Sequence, residues 1–311
     1  MKQSNPSIQF HFFKALMRLA RWGQGIFPVQ EAQAFVRFRR IANRLANATM
    51  RPPREVKVIH DHVGGVTGDW ILPEGTTEDP LIVFLHGGGI AFGWNNPLRR
   101  ELAILAGFCG LRAFGVDYSL IPEFCYPVAH DECLAVYRAL SEQGKQIVLV
   151  GESSGGVLAL ASMLRAKAAG LPQPVLCALI SPVVDFGFKE AHLWKSDDPF
   201  AHPRFTIEIH KHYLIGNDTN LPDLAPIRAD LEGIAPLVVL AGEHELLSGE
   251  VERLKEAAQR YNVPMETILF PNAWHGWHVL APQLPEATQA LARLAEAIRR
   301  RLGMVQNQDI G

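Results

Sequence analysis

The chain has 311 residues, 48% of them hydrophobic and 20% charged, with 30 basic and 32 acidic side chains for a formal charge of -2. That balance belongs to a globular protein with a sizeable core. It excludes a strongly basic nucleic-acid binder and a disordered acidic tail, and it provides no whole-chain field for recruiting an anionic partner. Four cysteines (Cys109, Cys125, Cys133, Cys177) are too few for a disulfide framework and point to reduced thiols, as in a cytoplasmic protein.

No apolar run reaches the roughly 18 residues of a membrane span. Residues 8–21 read as a helix. Lys14, Arg18 and Arg21 recur every three or four residues on one face, with Phe12, Phe13, Leu16 and Leu19 largely elsewhere. The charges break the apolar stretch and no small-residue cleavage site follows, which argues against a secretory signal. Two readings are open: a helix packed over the body, or a basic amphipathic helix touching a membrane surface or lipid-like substrate. Residues 30–47 form a second helical stretch, and Pro52-Pro53 punctuates before a switch to short strands. Strands are expected at 55–60, 81–85, 113–116, 147–150, 175–180, 237–240 and 267–270. Helices are expected at 97–109, 126–140, 154–168, 249–261 and 286–302. This alternation implies a mostly parallel sheet covered on both faces. Residues 185–230 hold Pro199, Pro203, Pro222 and Pro226 and no clear strand. They read as an insertion over one end of the sheet. The organisation is therefore a helical cap segment at 1–50, a core at 51–184 and 231–302, a cap insertion at 185–230, and a tail at 303–311.

Two glycine motifs carry chemistry. Gly151-Glu152-Ser153-Ser154-Gly155 fits G-x-S-x-G where a buried strand turns into a helix. The sharp turn exposes the Ser153 hydroxyl, and the helix N-terminus favours developing negative charge there. His86-Gly87-Gly88-Gly89 follows another buried strand, and its glycines let backbone N–H groups converge on one point. Acyl transfer needs such donors around the oxygen that becomes negative.

Together these motifs resemble the hormone-sensitive-lipase-like branch of the α/β-hydrolase superfamily, bacterial esterase family IV. Asp117-Tyr118-Ser119-Leu120-Ile121-Pro122-Glu123 is similar to that family's D-Y-R-L-A-P-E, followed by Tyr126-Pro127 and Asp131. Ser181-Pro182, Asp185 and Asp198-Pro199 resemble its cap region. The likeness runs from about residue 55 to 300. It implies an eight-stranded, mostly parallel sheet with a helical cap, a Ser-acid-His triad, and hydrolysis of short- to medium-chain carboxylic esters without cofactor or metal. Ser153 would be the nucleophile, with Gly88, Gly89 and Ser154 N–H groups as the oxyanion hole. His275-Gly276 resembles the family's H-G-F and makes His275 the base, with His278 as the alternative. Laid back from His275 without a gap, Glu245 falls on the family's aspartate, and Glu243 and Asp185 are fallbacks. An ordinary histidine titrates near about 6.5, so activity should fall on acidification below that value.

Ile90, Phe92, Trp94, Phe124, Phe186, Trp194, Phe200 and Trp277 could line an apolar pocket or belong to the core. A lactonase, deacetylase or amidase would use the same triad. A catalytically silent small-molecule binder is the non-hydrolase alternative. A metal hydrolase would draw on His60-x-His62, His210-x-His212 or His244-Glu245, but Ser248 stands where H-E-x-x-H needs its second histidine. The expected partner is a small-molecule ester, with no nucleic acid and no stable membrane insertion. The resemblance leaves a homodimer open.

Overall fold

Eight strands assemble in the order β1-β2-β4-β3-β5-β6-β7-β8. They are β1 (Lys57–Val63), β2 (Val66–Leu72), β3 (Thr77–Leu85), β4 (Leu111–Val116), β5 (Ile147–Glu152), β6 (Leu176–Ile180), β7 (Leu237–Gly242) and β8 (Met265–Phe270). In this computed structural model, residues 6–26, 31–187 and 196–304 are described. β2 runs antiparallel to both its neighbours, and all other pairings are parallel. The helices are α1 (Ile8–Ile26), α2 (Ala32–Thr49), α3 (Asn96–Cys109), α4 (Val128–Glu142), α5 (Ser154–Ala168), α6 (Pro203–Leu214), α7 (Ser248–Arg260) and α8 (Pro285–Arg301).

Every residue of β5, β6 and β7 is buried, as a parallel sheet covered on both faces requires. Successive side chains alternate between two cores. Val83, Leu149, Leu179 and Val239 join Val136, Leu158 and Leu254 on the side of α4, α5 and α7. Phe84, Val150, Ala178 and Leu240 join Leu102, Leu105, Leu291 and Leu294 on the side of α3 and α8. Each large side chain so buried contributes about 1.5–3 kcal/mol. Among the described residues no helix is long and apolar enough to cross a membrane.

The expected α/β architecture is present, with element ends displaced by a few residues. β2 was not singled out by periodicity, because Thr67, Gly68 and Asp69 interrupt its apolar pattern. The Gly64-Gly65 turn, with φ of 59° and 81°, is the hairpin signal that marks it. Parallel pairing puts the loops after β3, β5, β7 and β8 at one edge of the sheet, where the chemistry-bearing residues lie.

Candidate active site

Ser153 links β5 to α5 with φ 50° and ψ -117°, a conformation an L-residue adopts only when its surroundings impose it. They do so through three backbone bonds. Ser153 N–H donates to Ile180 O at 2.9 Å, and its carbonyl accepts from Gly156 and Val183 at 2.9 and 2.8 Å. A Cβ at Gly155 would lie 1.9 Å from Leu85 O, so only glycine lets the turn press against β3.

The Ser153 Oγ lies 2.9 Å from His275 Nε2. On the far side of the ring, Nδ1 faces Glu245 Oε2 at 3.6 Å, and neither atom has another partner among the described residues. This is ion-pair contact, a little longer than a closed hydrogen bond. Glu245 Oε1 accepts from Gly242 N–H and from the Ser181 hydroxyl, each at 2.6 Å. Two donors on one oxygen fix the carboxylate and leave Oε2 turned to the ring. Burial works to lower the His275 pKa, but Glu245, then Asp198 and Glu152, outweigh it and hold the imidazole above its ordinary value.

Of the fallback acids, Glu243 is exposed. Asp185 is fully buried, and its carboxylate is taken up by Arg228 and Arg253. In sequence Asp198 stands out only by its cap resemblance, yet its buried carboxylate ties three segments together. Oδ2 accepts from His275 N–H at 2.8 Å and Leu246 N–H at 2.9 Å, and Oδ1 accepts from Phe200 and Ala201 N–H. One side chain thereby clamps the loops that carry the histidine and the glutamate. Two amides donating to one oxygen cannot be read from a lone Asp-Pro. Ser181 likewise stands out in sequence only by its Ser-Pro resemblance.

The glycine run after β3 lies beside the elbow. Gly88, Gly89 and Ile90 take φ of 103°, 68° and 57°, and the loop closes through Ala91 and Phe92 N–H on Gly88 O. No acceptor is assigned to the N–H groups of Gly88 or Gly89 among the described residues. Ser154 opens α5, where helical N–H groups lack intrahelical partners. His86 beneath the run is fully buried, stacks on Tyr118 at 4.1 Å and donates from Nδ1 to Gly87 O at 2.7 Å. Burial pushes its pKa down to about 4, so it serves as a neutral prop. Tyr118, from the Asp-Tyr motif, bonds His86 O at 2.7 Å.

Deeper in, Glu152 Oε2 accepts Gly87 N–H at 3.0 Å and so joins the serine turn to the glycine loop. Its Oε1 lies 4.0 Å from His278 Nε2, and His278 Nδ1 lies 2.6 Å from Glu101 Oε1. His278 therefore points away from Ser153, into a buried carboxyl pair. Burial pushes Glu101 up to about 8 and Glu152 up to about 7, the latter raised further by Glu101. These three residues are the one group among the described residues with metal-ligand spacing. None of the histidine pairs weighed earlier is part of it: His60 and His62 are exposed on β1, and His244 is exposed beside Glu243.

The candidate pocket residues divide. Ile90, Phe92 and Phe186 belong to the core that includes the cap, where Phe92 meets Phe35 of α2 at 5.7 Å and Phe205 of α6 at 6.0 Å. Trp94 and Trp277 sit in the opposite core with α3 and α8, and Trp94 Nε1 donates to Asp69 at 2.6 Å. Phe200 lies beside Gly276 and Phe124 is exposed. Trp194 lies outside the described residues. Ile209 of α6, not anticipated from sequence, reaches the glycine run: a Cβ at Gly89 would lie 2.9 Å from it.

This sheet, the serine turn at one strand end and the histidine beside it define an α/β hydrolase. The chain belongs to the alpha/beta hydrolase fold family, whose profile matches residues 82–279. Within that family it is an enzyme of the hormone-sensitive-lipase-like esterase branch. It is 33% identical over 241 residues to an esterase of Acinetobacter venetianus, covering 75% of this chain and 79% of that protein. It is 29% identical over 257 residues to an acetyl-hydrolase of Streptomyces hygroscopicus, covering 81% and 84%. A crystal structure of an esterase from the bacterial hormone-sensitive lipase family superposes with a TM-score of 0.84 at 27% identity, covering 96% of this chain and 100% of that one.

Proposed function

We propose that the protein is a serine carboxylesterase that cleaves short- to medium-chain carboxylic esters through Ser153, His275 and Glu245. The observation that carries this reading is the 2.9 Å contact between Ser153 Oγ and His275 Nε2. Ser153 Oγ attacks the ester carbonyl while His275 takes its proton. The carbonyl oxygen becomes negative among the N–H groups of Gly88, Gly89 and Ser154. Collapse of the tetrahedral adduct breaks the bond to the alcohol oxygen, which leaves with the proton from His275. Water then attacks the acyl-serine, His275 takes the water's proton, and collapse returns it to Ser153 as the carboxylic acid departs. Glu245 holds the imidazole in the tautomer that presents a bare Nε2 and stabilises the imidazolium.

Phe92, Phe205 and Ile209 beside the glycine run are the side chains we assign to the acyl wall, because cap and core meet there. The relatives named as esterases and acetyl-hydrolases support the short-acyl end of the range. A lactone or amide would meet the same atoms, so a panel of nitrophenyl esters from acetyl to dodecanoyl, with lactones and anilides, fixes the preference. The cytoplasmic setting expected from cysteine usage is part of this reading. Ser153→Ala should lower kcat by about 10^5-fold or more with the melting temperature unchanged, and wild type should be labelled at Ser153 by an organophosphate. Turnover retained in that variant would overturn the assignment.

A further inference from the structure

The near-zero net charge conceals a strong division. Residues 1–54 hold ten of the 30 basic side chains and one of the 32 acidic ones, about +9, while the remainder carries about -11. The basic segment is the one that builds α1 and α2.

α1 has two apolar faces. Phe10, Phe13 and Met17 turn inward against the α3 and α8 core, and Phe10 meets Trp274 at 4.8 Å. The helix is pinned at one end by Ser7 on Glu286 and at the other by Arg21 on Asp198 O. Ile8, Phe12, Leu16, Leu19 and Trp22 recur every three or four residues on the opposite side and are between 44% and 87% exposed. Arg18 is exposed at the edge of that stripe, next to Trp22 around the helix, whereas Lys14 is half-buried and Arg21 turns inward to Asp198 O. α2 repeats the arrangement: Ile41 and Leu45 are exposed, with Arg37, Arg40 and Arg44 exposed beside them. Those three arginines and Arg18 make no ion pair among the described residues. A helix that is apolar on its outer face serves no purpose in packing this fold, because the inner face already does that.

We propose that α1, with the arginine row of α2 adding to its field, is a peripheral docking surface for an anionic phospholipid bilayer. The outward stripe enters the boundary between headgroups and acyl chains, and the basic flank stays among the lipid phosphates. Charge selects this occupant over a second copy of the chain. A two-fold contact through the same face would set two segments of about +9 against each other, whereas an anionic surface complements both the stripe and its flank. Docking also brings the site to the water–lipid boundary, since α1 touches Trp274, the neighbour of His275. The proposal does not rest on the reaction assigned above, because binding is read without turnover.

The test is co-sedimentation of the full chain with vesicles of ether-linked phosphatidylcholine, with and without 30 mol% ether-linked phosphatidylglycerol. These lipids have no ester to cleave. The wild type should bind the anionic vesicles at low salt and release them at high salt, with about tenfold or more weaker binding to pure phosphatidylcholine. Leu19→Ser with Trp22→Ser, both exposed, should lose about tenfold or more in binding to anionic vesicles while keeping the melting temperature and the hydrolysis of a soluble short ester. Arg18→Glu with Arg44→Glu should lose binding at low salt. Equal binding to both vesicle types, or undiminished binding by either double variant, overturns the proposal. So does sedimentation velocity showing a wild-type dimer that the Leu19/Trp22 variant splits, with no vesicle binding by either protein.

Discussion

Two histidines three residues apart each face a glutamate through Nδ1, yet they inhabit opposite electrostatic worlds. His275 stands 3.6 Å from Glu245 and has its pKa raised; His278 stands 2.6 Å from Glu101 and has its pKa lowered. The shorter contact is not the more ionic one. Glu245 receives two donors on Oε1, and its Oε2 faces the imidazole, whose pKa it holds up. Glu101 has an unpartnered Oε2 and a second buried carboxyl, Glu152, nearby, so burial drives it toward the neutral acid. Whether a buried carboxyl–imidazole pair is charged depends on the other hydrogen bonds of its carboxylate, more than on the distance between the two. In the proposed reaction the His275 side stabilises an imidazolium, while His278 lies against Glu101 and Glu152, beneath the Gly87–Glu152 joint.

The sharpest way to break this contrast is to neutralise each glutamate. In our reading Glu245→Gln lowers kcat by about 10^3-fold or more, whereas Glu101→Gln and the exposed Glu243→Gln change it by no more than about threefold. Steady-state kinetics on one soluble ester compares all three; equal losses for Glu245 and Glu243 would remove Glu245 from the triad. A smaller effect is expected at Asp198, which positions the histidine and glutamate loops without touching either side chain. Asp198→Asn keeps one acceptor oxygen and should cost about 10- to 100-fold in kcat with KM little changed.

The pH profile sharpens the same contrast. The base must be neutral to accept a proton, so a raised His275 pKa places the acid limb of kcat/KM above the ordinary histidine value of 6.5, and activity rises as pH climbs through it. This moves the simple expectation of a limb at that value upward. Glu245→Gln should bring the limb back down, while Glu101→Gln should leave it in place. The smallest effect concerns stability. A carboxyl whose folded-state pKa is raised to about 8 contributes stability that is complete below its unfolded value and is lost as pH rises through about 8. Glu101→Gln cannot ionise, so its unfolding free energy, read by denaturant titration, should fall less than that of wild type between pH 6 and pH 9, a difference of about 1 kcal/mol or more.

Much of the site was legible because its parts are local. Ser153 announces itself through glycines two residues to either side, and the His-Gly-Gly-Gly run through its place after a buried strand. Asp198 and Ser181 were visible only as resemblances without a task. Their tasks are hydrogen bonds to Leu246, His275 and Glu245, partners 48 to 77 residues away. Trp94 and Trp277 looked equivalent to Phe92 and Phe186 as pocket candidates, yet the tertiary fold sends the two tryptophans to the opposite core. Periodicity separated the strands from the helices but said nothing of which layer an aromatic in a loop would join.

The linear order of residues was enough to establish the alternating strands and helices, the sharp serine turn, the glycine-rich run after a buried strand and the histidine that follows the last strand. Each depends on backbone preferences and side-chain spacing within a few neighbouring residues. The three-dimensional fold alone decided which carboxylate supports which imidazole, which histidine faces the serine, and that the first helix keeps an apolar stripe in the open. Those outcomes turn on burial and on hydrogen bonds from distant segments, which exist only once the sheet has gathered its loops at one edge.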